Sequence, residues 1–244
     1  MTTLHVDGAD LHHELAGSGP HTVAFVHGWC SKADHWAAQA GHLARSQQVL
    51  SWDRRGMGRS TTAAPAGSAR RHADDLVALL DHHGIDRVVV VGHAGGGPTA
   101  LAFAAEHAAR TEALVMVDTT VNRPGDPRSD RFVAGVHDMV ARLQGPDGPE
   151  QFARIYAGFF GPRADPAVVA DAVAHALSLP LEVAVSEVLQ MTEDTASLAA
   201  RVTCPVLWVS AQPLDTAFAR EAFPATRPLV GHVVGSGHFV QVEV

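Results

Sequence analysis

The most chemically informative stretch of the sequence is Val88-Val-Val-Val-Gly-His-Ala-Gly-Gly-Gly97. A run of β-branched residues feeds a Gly-x-Ala-x-Gly turn, and Pro98-Thr-Ala-Leu-Ala-Phe-Ala-Ala105 then opens a helix. This is the pattern of a nucleophile elbow, a sharp strand-to-helix corner whose middle residue is an attacking Ser, Cys or Asp. Here the middle residue is Ala94, whose methyl group can attack nothing. The glycines that permit the corner are all present, so the expectation is a catalytic scaffold with its nucleophile position emptied of chemistry.

Three further segments carry chemistry in a matching order. Phe25-Val-His-Gly-Trp-Cys30 ends a strand and enters a loop, where the Trp29 amide can pair with the Gly95 amide as oxyanion donors, with Gly28 beside them and Cys30 read as pocket lining. Ser51-Trp-Asp-Arg-Arg-Gly-Met-Gly-Arg-Ser60 reads as a tight, ion-paired loop that buttresses the oxyanion segment rather than taking part in catalysis. Gly235-Ser-Gly-His238 follows the last strand and offers an imidazole as general base. Two carboxylates compete to orient that imidazole. Asp118 ends the apolar run Ala113-Leu-Val-Met-Val117, and Asp215 lies in the loop after Val206-Leu-Trp-Val209. Each has a plainer reading as a helix N-cap or loop anchor. Asp118 is favoured because the residues after it lead straight into a long insertion. His93 is read as packing behind the elbow, and Trp29, Phe159, Phe160 and Met191 as apolar lining of a substrate pocket.

These residues need a frame. Thr22-Val-Ala-Phe-Val26, Gln48-Val-Leu-Ser-Trp52, Val88 to Val91, Ala113 to Val117 and Pro205-Val-Leu-Trp-Val209 read as buried strands of a mainly parallel sheet. Residues 34–45, 67–84 and 95–109 have helical spacing, so strands alternate with crossover helices. Thr3 to Val6 and Leu11 to Leu15, divided by Asp7-Gly8, form an expected edge hairpin. From Val121 to Arg201 the strand signal vanishes, and helices are expected near 129–143, 148–160, 166–178 and 181–199. The predicted organisation is a core over 1–120, a helical cap over 121–201 and the rest of the core over 202–244. The chain stops six residues after His238, short of the closing helix usual in such sheets, so that helix is expected to be missing.

Composition narrows the classes. With 244 residues, 46% hydrophobic and 18% charged, the chain can bury a full α/β core. A formal net charge of −8 provides no basic field for nucleic acid or an anionic membrane. No apolar run approaches the roughly 20 residues that span a bilayer, and the N-terminus lacks a signal-peptide pattern, so a cytoplasmic protein is expected. Two cysteines, Cys30 and Cys204, imply no disulfide framework. Among the 16 histidines, pairs such as His12-His13 and His82-His83 lack ligand spacing with Cys or carboxylates, so neither a metal nor any other cofactor is expected. The expected partner is a hydrophobic small molecule, with homo-oligomerisation left open.

Taken together, His27-Gly28-Trp29, Asp53-Arg-Arg-Gly-Met-Gly-Arg-Ser60, Gly92-His-Ala-Gly-Gly96 and Gly237-His238 resemble the α/β-hydrolase superfamily over nearly the whole chain. The likeness is greatest to its small esterases and cofactor-free haloperoxidases, or perhydrolases. The resemblance implies an eight-stranded, mainly parallel sheet with helices on both faces and a helical cap. It also implies hydrolysis of a carboxylic ester or lactone through a Ser-His-Asp type triad, with residue 94 in the nucleophile's place. Three readings of Ala94 follow: a replacement of serine that inactivates the enzyme, a dioxygenase using only His238 and Asp118, or a catalytically dead ligand-binding fold. The second draws on a further likeness to cofactor-free 2,4-dioxygenases of heteroaromatics, which take their acid from the position of Asp118.

Overall fold

The computed structural model describes residues 2–244. Eight strands form one sheet in the order β1-β2-β4-β3-β5-β6-β7-β8. The hairpin at its edge pairs β1 (Thr2–Val6) with β2 (Ala9–Ala16) in antiparallel register. Asp7 and Gly8 turn the corner with φ of 42° and 77°, the left-handed pair a two-residue hairpin loop demands. β2 also runs antiparallel to β4 (Gln48–Trp52), and every later pairing is parallel.

The central strands β3 (Thr22–Val26), β5 (Val88–His93) and β6 (Thr111–Val117) are the apolar runs of the sequence, buried because helices cover both faces. On one face α2 (Ala69–His82) and α3 (Gly96–Glu106) pack over Leu50, Trp52, Val90, Leu114 and Trp208. On the other, Phe25 stacks on Trp36 just before the short helix α1 (Ala37–Leu43), among Val23, Val49 and Val91. Strand order reverses at β3, which lies between β4 and β5. In open α/β sheets the crevice at such a reversal, beyond the strand carboxyl ends, is where ligands bind. Val26 pairs with Gly92 there, so the loops after β3 and β5 emerge side by side.

Four helices, α4 (Pro127–Leu143), α5 (Gly148–Ala157), α6 (Pro166–Ser178) and α7 (Leu181–Leu189), lie between β6 and β7 (Val206–Ser210). Asp126 caps α4 and Asp165 caps α6, each followed by proline at the first helical position. The expected helix over 181–199 is broken. A 3₁₀ turn at Gln190–Thr192 ends α7, and α8 (Ala196–Ala199) starts separately, with Leu198 and Ala199 in the main core. The chain continues through α9 (Thr216–Ala222) and β8 (Leu229–His232) to a single turn, α10 (Val240–Glu243). A helix therefore does follow His238, four residues long rather than absent. Among the described residues, no single helix is long and apolar enough to cross a membrane.

Candidate active site

The elbow is built by exclusion of side chains. A Cβ on Gly92 would lie 2.6 Å from the Gly96 carbonyl oxygen, and one on Gly96 would lie 2.5 Å from the carbonyl oxygens of Val26 and His27. Only glycine lets β5 turn into α3 so closely against β3. Between them Ala94 takes φ of +47°, a left-handed conformation that costs an L-residue roughly 1–2 kcal/mol. Its amide donates to Val117 O at 3.0 Å and its carbonyl accepts from Thr119 Oγ1 at 2.8 Å, which hold the corner against that strain. Position 94 thus sits at a left-handed strand-to-helix corner while carrying only a methyl group.

His238, in the loop after β8, lines the same cavity as Ala94. Its Nδ1 lies 2.5 Å from Asp118 Oδ2, and the other oxygen of Asp118 accepts from the Ala211 amide at 2.8 Å and Ser210 Oγ at 2.9 Å. Burial pushes the Asp118 carboxyl upward, but the His238 hydrogen bond and these two donors outweigh it, and its pKa falls below the usual carboxylate value. An ionised carboxylate only accepts, so Nδ1 carries the proton and Nε2 is the nitrogen left free to take another. Asp118 is the acid beside the imidazole. Asp215, the alternative, is exposed and caps α9 by accepting from the Ala217 amide at 2.8 Å.

The oxyanion candidates adjoin one another. A Cβ on Gly95 would sit 3.1 Å from the Trp29 nitrogen and 3.4 Å from Met191 Sδ. Among the described residues neither the Trp29 nor the Gly95 amide has a protein acceptor. Trp29 itself is pinned from the insertion: its indole donates to Ala184 O at 2.7 Å, and Tyr156 Oη donates to Cys30 O at 3.0 Å. Gly28 must lack a side chain, because a Cβ there would approach His93 Nδ1 to 2.9 Å.

A cavity of about 280 Å³ opens over Ala94 and His238. Trp29, Phe159 and Met191 line it, joined by Phe132, Met139 and Val188 from the inserted helices. His93 also reaches it, but Nε2 donates to His238 O at 2.9 Å and burial, with His238 adjacent, lowers its pKa to about 3. It braces the loop that carries His238. Two expectations for the lining are corrected. Phe160 turns away to stack on Phe239 at 4.4 Å, and Cys30 is fully buried outside the cavity, with burial raising its thiol pKa well above normal.

The arginine loop is structural, as its composition suggests, but its reach was not visible. Asp53, completely buried, accepts from the Ala33 amide at 2.7 Å and from the Arg59 amide and Nε at 3.0 Å each. Arg54 donates to Gly28 O at 2.9 Å and to Glu187 Oε2 at 2.7 Å, while His72 Nε2 lies 2.8 Å from Glu187 Oε1. Burial would raise the Glu187 pKa, yet His72 and Arg54 hold it down to about 2. Glu187 belongs to α7, so this buried cluster fastens the insertion to the loop that carries Gly28 and Trp29. The one signal for it in the sequence is a lone carboxylate on the apolar face that Val183 and Ala184 define. Among the described residues, no His, Cys, Asp or Glu side chain lines the cavity beyond the two histidines already described. Elsewhere His13, His82 and His83 come together, which local spacing could not reveal because 69 residues separate the first from the second.

A model of the α/β-hydrolase fold matches residues 21–243. RutD of Caulobacter vibrioides, provisionally named a carbamate hydrolase, is 34% identical over 166 residues, covering 66% of this chain and 59% of RutD. Lipase LipV of Mycobacterium tuberculosis is 34% identical over 172 residues, covering 70% of this chain and 64% of LipV. The chain thus spans less than two thirds of the length of either relative. Among solved structures, a thermophilic esterase from Thermogutta terrifontis superposes with a TM-score of 0.80 at 26% identity, over 96% of this chain and 88% of the esterase. An enol-lactonase from Burkholderia xenovorans LB400 superposes with a TM-score of 0.83 at 22% identity, over 99% and 94%, a likeness of fold.

Proposed function

The chain belongs to the α/β-hydrolase family, and from that membership we propose that its site is arranged for hydrolysis of a small apolar carboxylic ester or lactone, with residue 94 seated where the nucleophile acts. The observation that carries this reading is the Asp118–His238 pair opening on the same apolar cavity as a left-handed residue 94. In a triad of this kind the serine hydroxyl attacks the acyl carbon, the imidazole takes its proton, and two amides receive the charge on oxygen. Trp29 and Gly95 supply the amides, each worth about 10²–10³ in rate in comparable sites. His238 Nε2 supplies the base and Asp118 fixes its tautomer.

Alanine at 94 removes the acyl-enzyme route and leaves the remaining parts in place. Ester binding persists, and slow turnover is limited to water activated directly by His238. The names borne by the relatives, a carbamate hydrolase, a lipase and an esterase, share attack on an acyl carbonyl and support this class of substrate. Helices α4 to α7 act as the cap that keeps the cavity dry. A volume near 280 Å³ suits short acyl groups.

The test is hydrolysis of p-nitrophenyl acetate, butyrate and octanoate by the native chain and by Ala94→Ser. The serine form is expected to gain at least about 10³ in kcat, most on the shorter esters. Equal rates in both forms would refute the assignment of position 94. A second reading has the placement of the acid in its favour: with Asp118 at the end of β6, His238 could deprotonate a hydroxylated heteroaromatic that then reacts with O2. Substrate-dependent O2 consumption by the native chain, with no gain of esterase activity in Ala94→Ser, would select it.

A further inference from the structure

The fold assembles a cluster of three histidines away from the cavity. His13 lies on β2, fully buried, while His82 ends α2 and His83 is its C-cap residue. The ring centroids are 5.6 Å apart for His13–His82, 4.9 Å for His13–His83 and 4.9 Å for His82–His83. One nitrogen from each ring lies within 4.8 Å of the other two. We propose that His13, His82 and His83 form a binding site for one divalent transition-metal ion of the zinc class, which ties the edge hairpin to the end of α2.

Four observations converge on this. His13 Nδ1 lies 3.2 Å from Leu11 O, a bond that fixes its proton on Nδ1 and turns the lone pair of Nε2 outward, as in metal-ligating histidines. His13 Nε2 is buried and, among the described residues, has no hydrogen-bond partner, and His83 Nε2 is in the same condition. Buried polar nitrogens rarely go unpaired, and two in one cluster point to an electrophile that both can reach. The donor set is imidazole alone, which suits Zn²⁺, Ni²⁺, Co²⁺ or Cu²⁺ and does not suit Mg²⁺ or Ca²⁺. Finally, the cluster meets the C-terminal end of a 14-residue helix, where the macrodipole favours a cation.

The geometry needs little adjustment. A tetrahedral ion about 2.0–2.1 Å from each nitrogen holds its donors roughly 3.4 Å apart. His82 is exposed and can swing inward to close that distance, leaving a fourth position for water. Burial lowers the pKa of His13 and of His83, and the charges acting on them come from other histidines, so the lone pairs stay available at neutral pH. None of the three residues lines the cavity above Ala94, so the site is separate from the proposed esterase chemistry.

The experiment is a titration of the EDTA-dialysed full chain with Co²⁺, then competition with Zn²⁺, alongside His82→Gln, His83→Gln and the double variant. One Co²⁺ per chain with the visible absorption of a tetrahedral nitrogen-ligated ion is expected, displaced by Zn²⁺. Each single variant should bind at least about tenfold more weakly. Zinc should raise the melting temperature of the native chain and leave that of the double variant unchanged. His5→Gln, which removes an exposed histidine elsewhere, serves as the control and should titrate like the native chain. His82 is exposed, so its replacement leaves the fold intact and keeps the test decisive. Unaltered metal binding in the double variant, or no stoichiometric binding by the native chain, overturns the proposal.

Discussion

Ala94 keeps a φ of +47° although nothing on its side chain benefits from it. Strain of that kind persists at functional corners because the surrounding structure over-determines it. Replacing it with glycine removes the Cβ clash, so Ala94→Gly is expected to raise unfolding free energy by about 1 kcal/mol in urea titrations. No gain would mean that the corner is not strained. The acid assignment has an equally local test. In an Ala94→Ser background, Asp118→Asn is expected to lower kcat by about 10⁴, because the wrong tautomer of His238 then faces the substrate. Asp215→Asn should change kcat less than about twofold, since asparagine caps α9 nearly as well as aspartate. The reverse order of effects would move the triad to the other strand end. What sequence could resolve here was local: the elbow, the His-Gly-Trp turn and Gly-His carry their geometry in adjacent residues. Which of Asp118 and Asp215 comes to lie beside His238 depends on the loop from 210 to 238, whose path follows from the pairing of β7 and β8.

The inserted helices illustrate what adjacency cannot show. Their presence was readable from the breaks at Pro124-Gly125, Gly145-Pro146-Asp147-Gly148, Gly161-Pro162 and Pro180, where the chain's own turn chemistry separates one helix from the next, whereas the aspartate caps of α4 and α6 emerged only from the structure. Their docking was not, because Glu187 meets Arg54 and His72 across 133 and 115 residues of sequence. This cluster is buried and therefore costly to break from one side. Glu187→Gln leaves the Arg54 guanidinium in a closed environment without its counter-charge, and about 3–5 kcal/mol of stability should be lost. Asp138→Ala, which breaks an exposed pair with Arg142 on α4, should cost under about 0.5 kcal/mol. Urea unfolding of the two variants checks the contrast, and comparable losses would show that the buried cluster does not fasten the insertion. Phe160 shows the same limit: helical spacing marks it as apolar, but only its stacking on Phe239, beyond the end of α5, decides which apolar space it fills.

Across the whole molecule, the histidines that brace the site make stability sensitive to acid. Burial holds His93 down to about 3, so below pH 6.5 the unfolded chain binds a proton that the folded chain refuses. Stability contributed by that difference is complete above pH 6.5 and declines toward pH 3, by at most about 1.4 kcal/mol per pH unit. Glu187, depressed to about 2, adds a second loss as pH falls from about 4.3 toward that value. Urea midpoints measured from pH 7.5 to 4 should fall accordingly, and His93→Gln should flatten the decline; an unchanged slope in that variant would exclude His93 as its source. The account as a whole rests on one arrangement, an imidazole–carboxylate pair directed at the side chain of residue 94. Its most direct test is intact-protein mass spectrometry after treatment with a fluorophosphonate. Ala94→Ser should take up a single adduct mapped to residue 94, the native chain none, and Ala94→Ser with His238→Ala almost none in the same time. Labelling that occurs equally without His238, or on a residue other than 94, would contradict the arrangement.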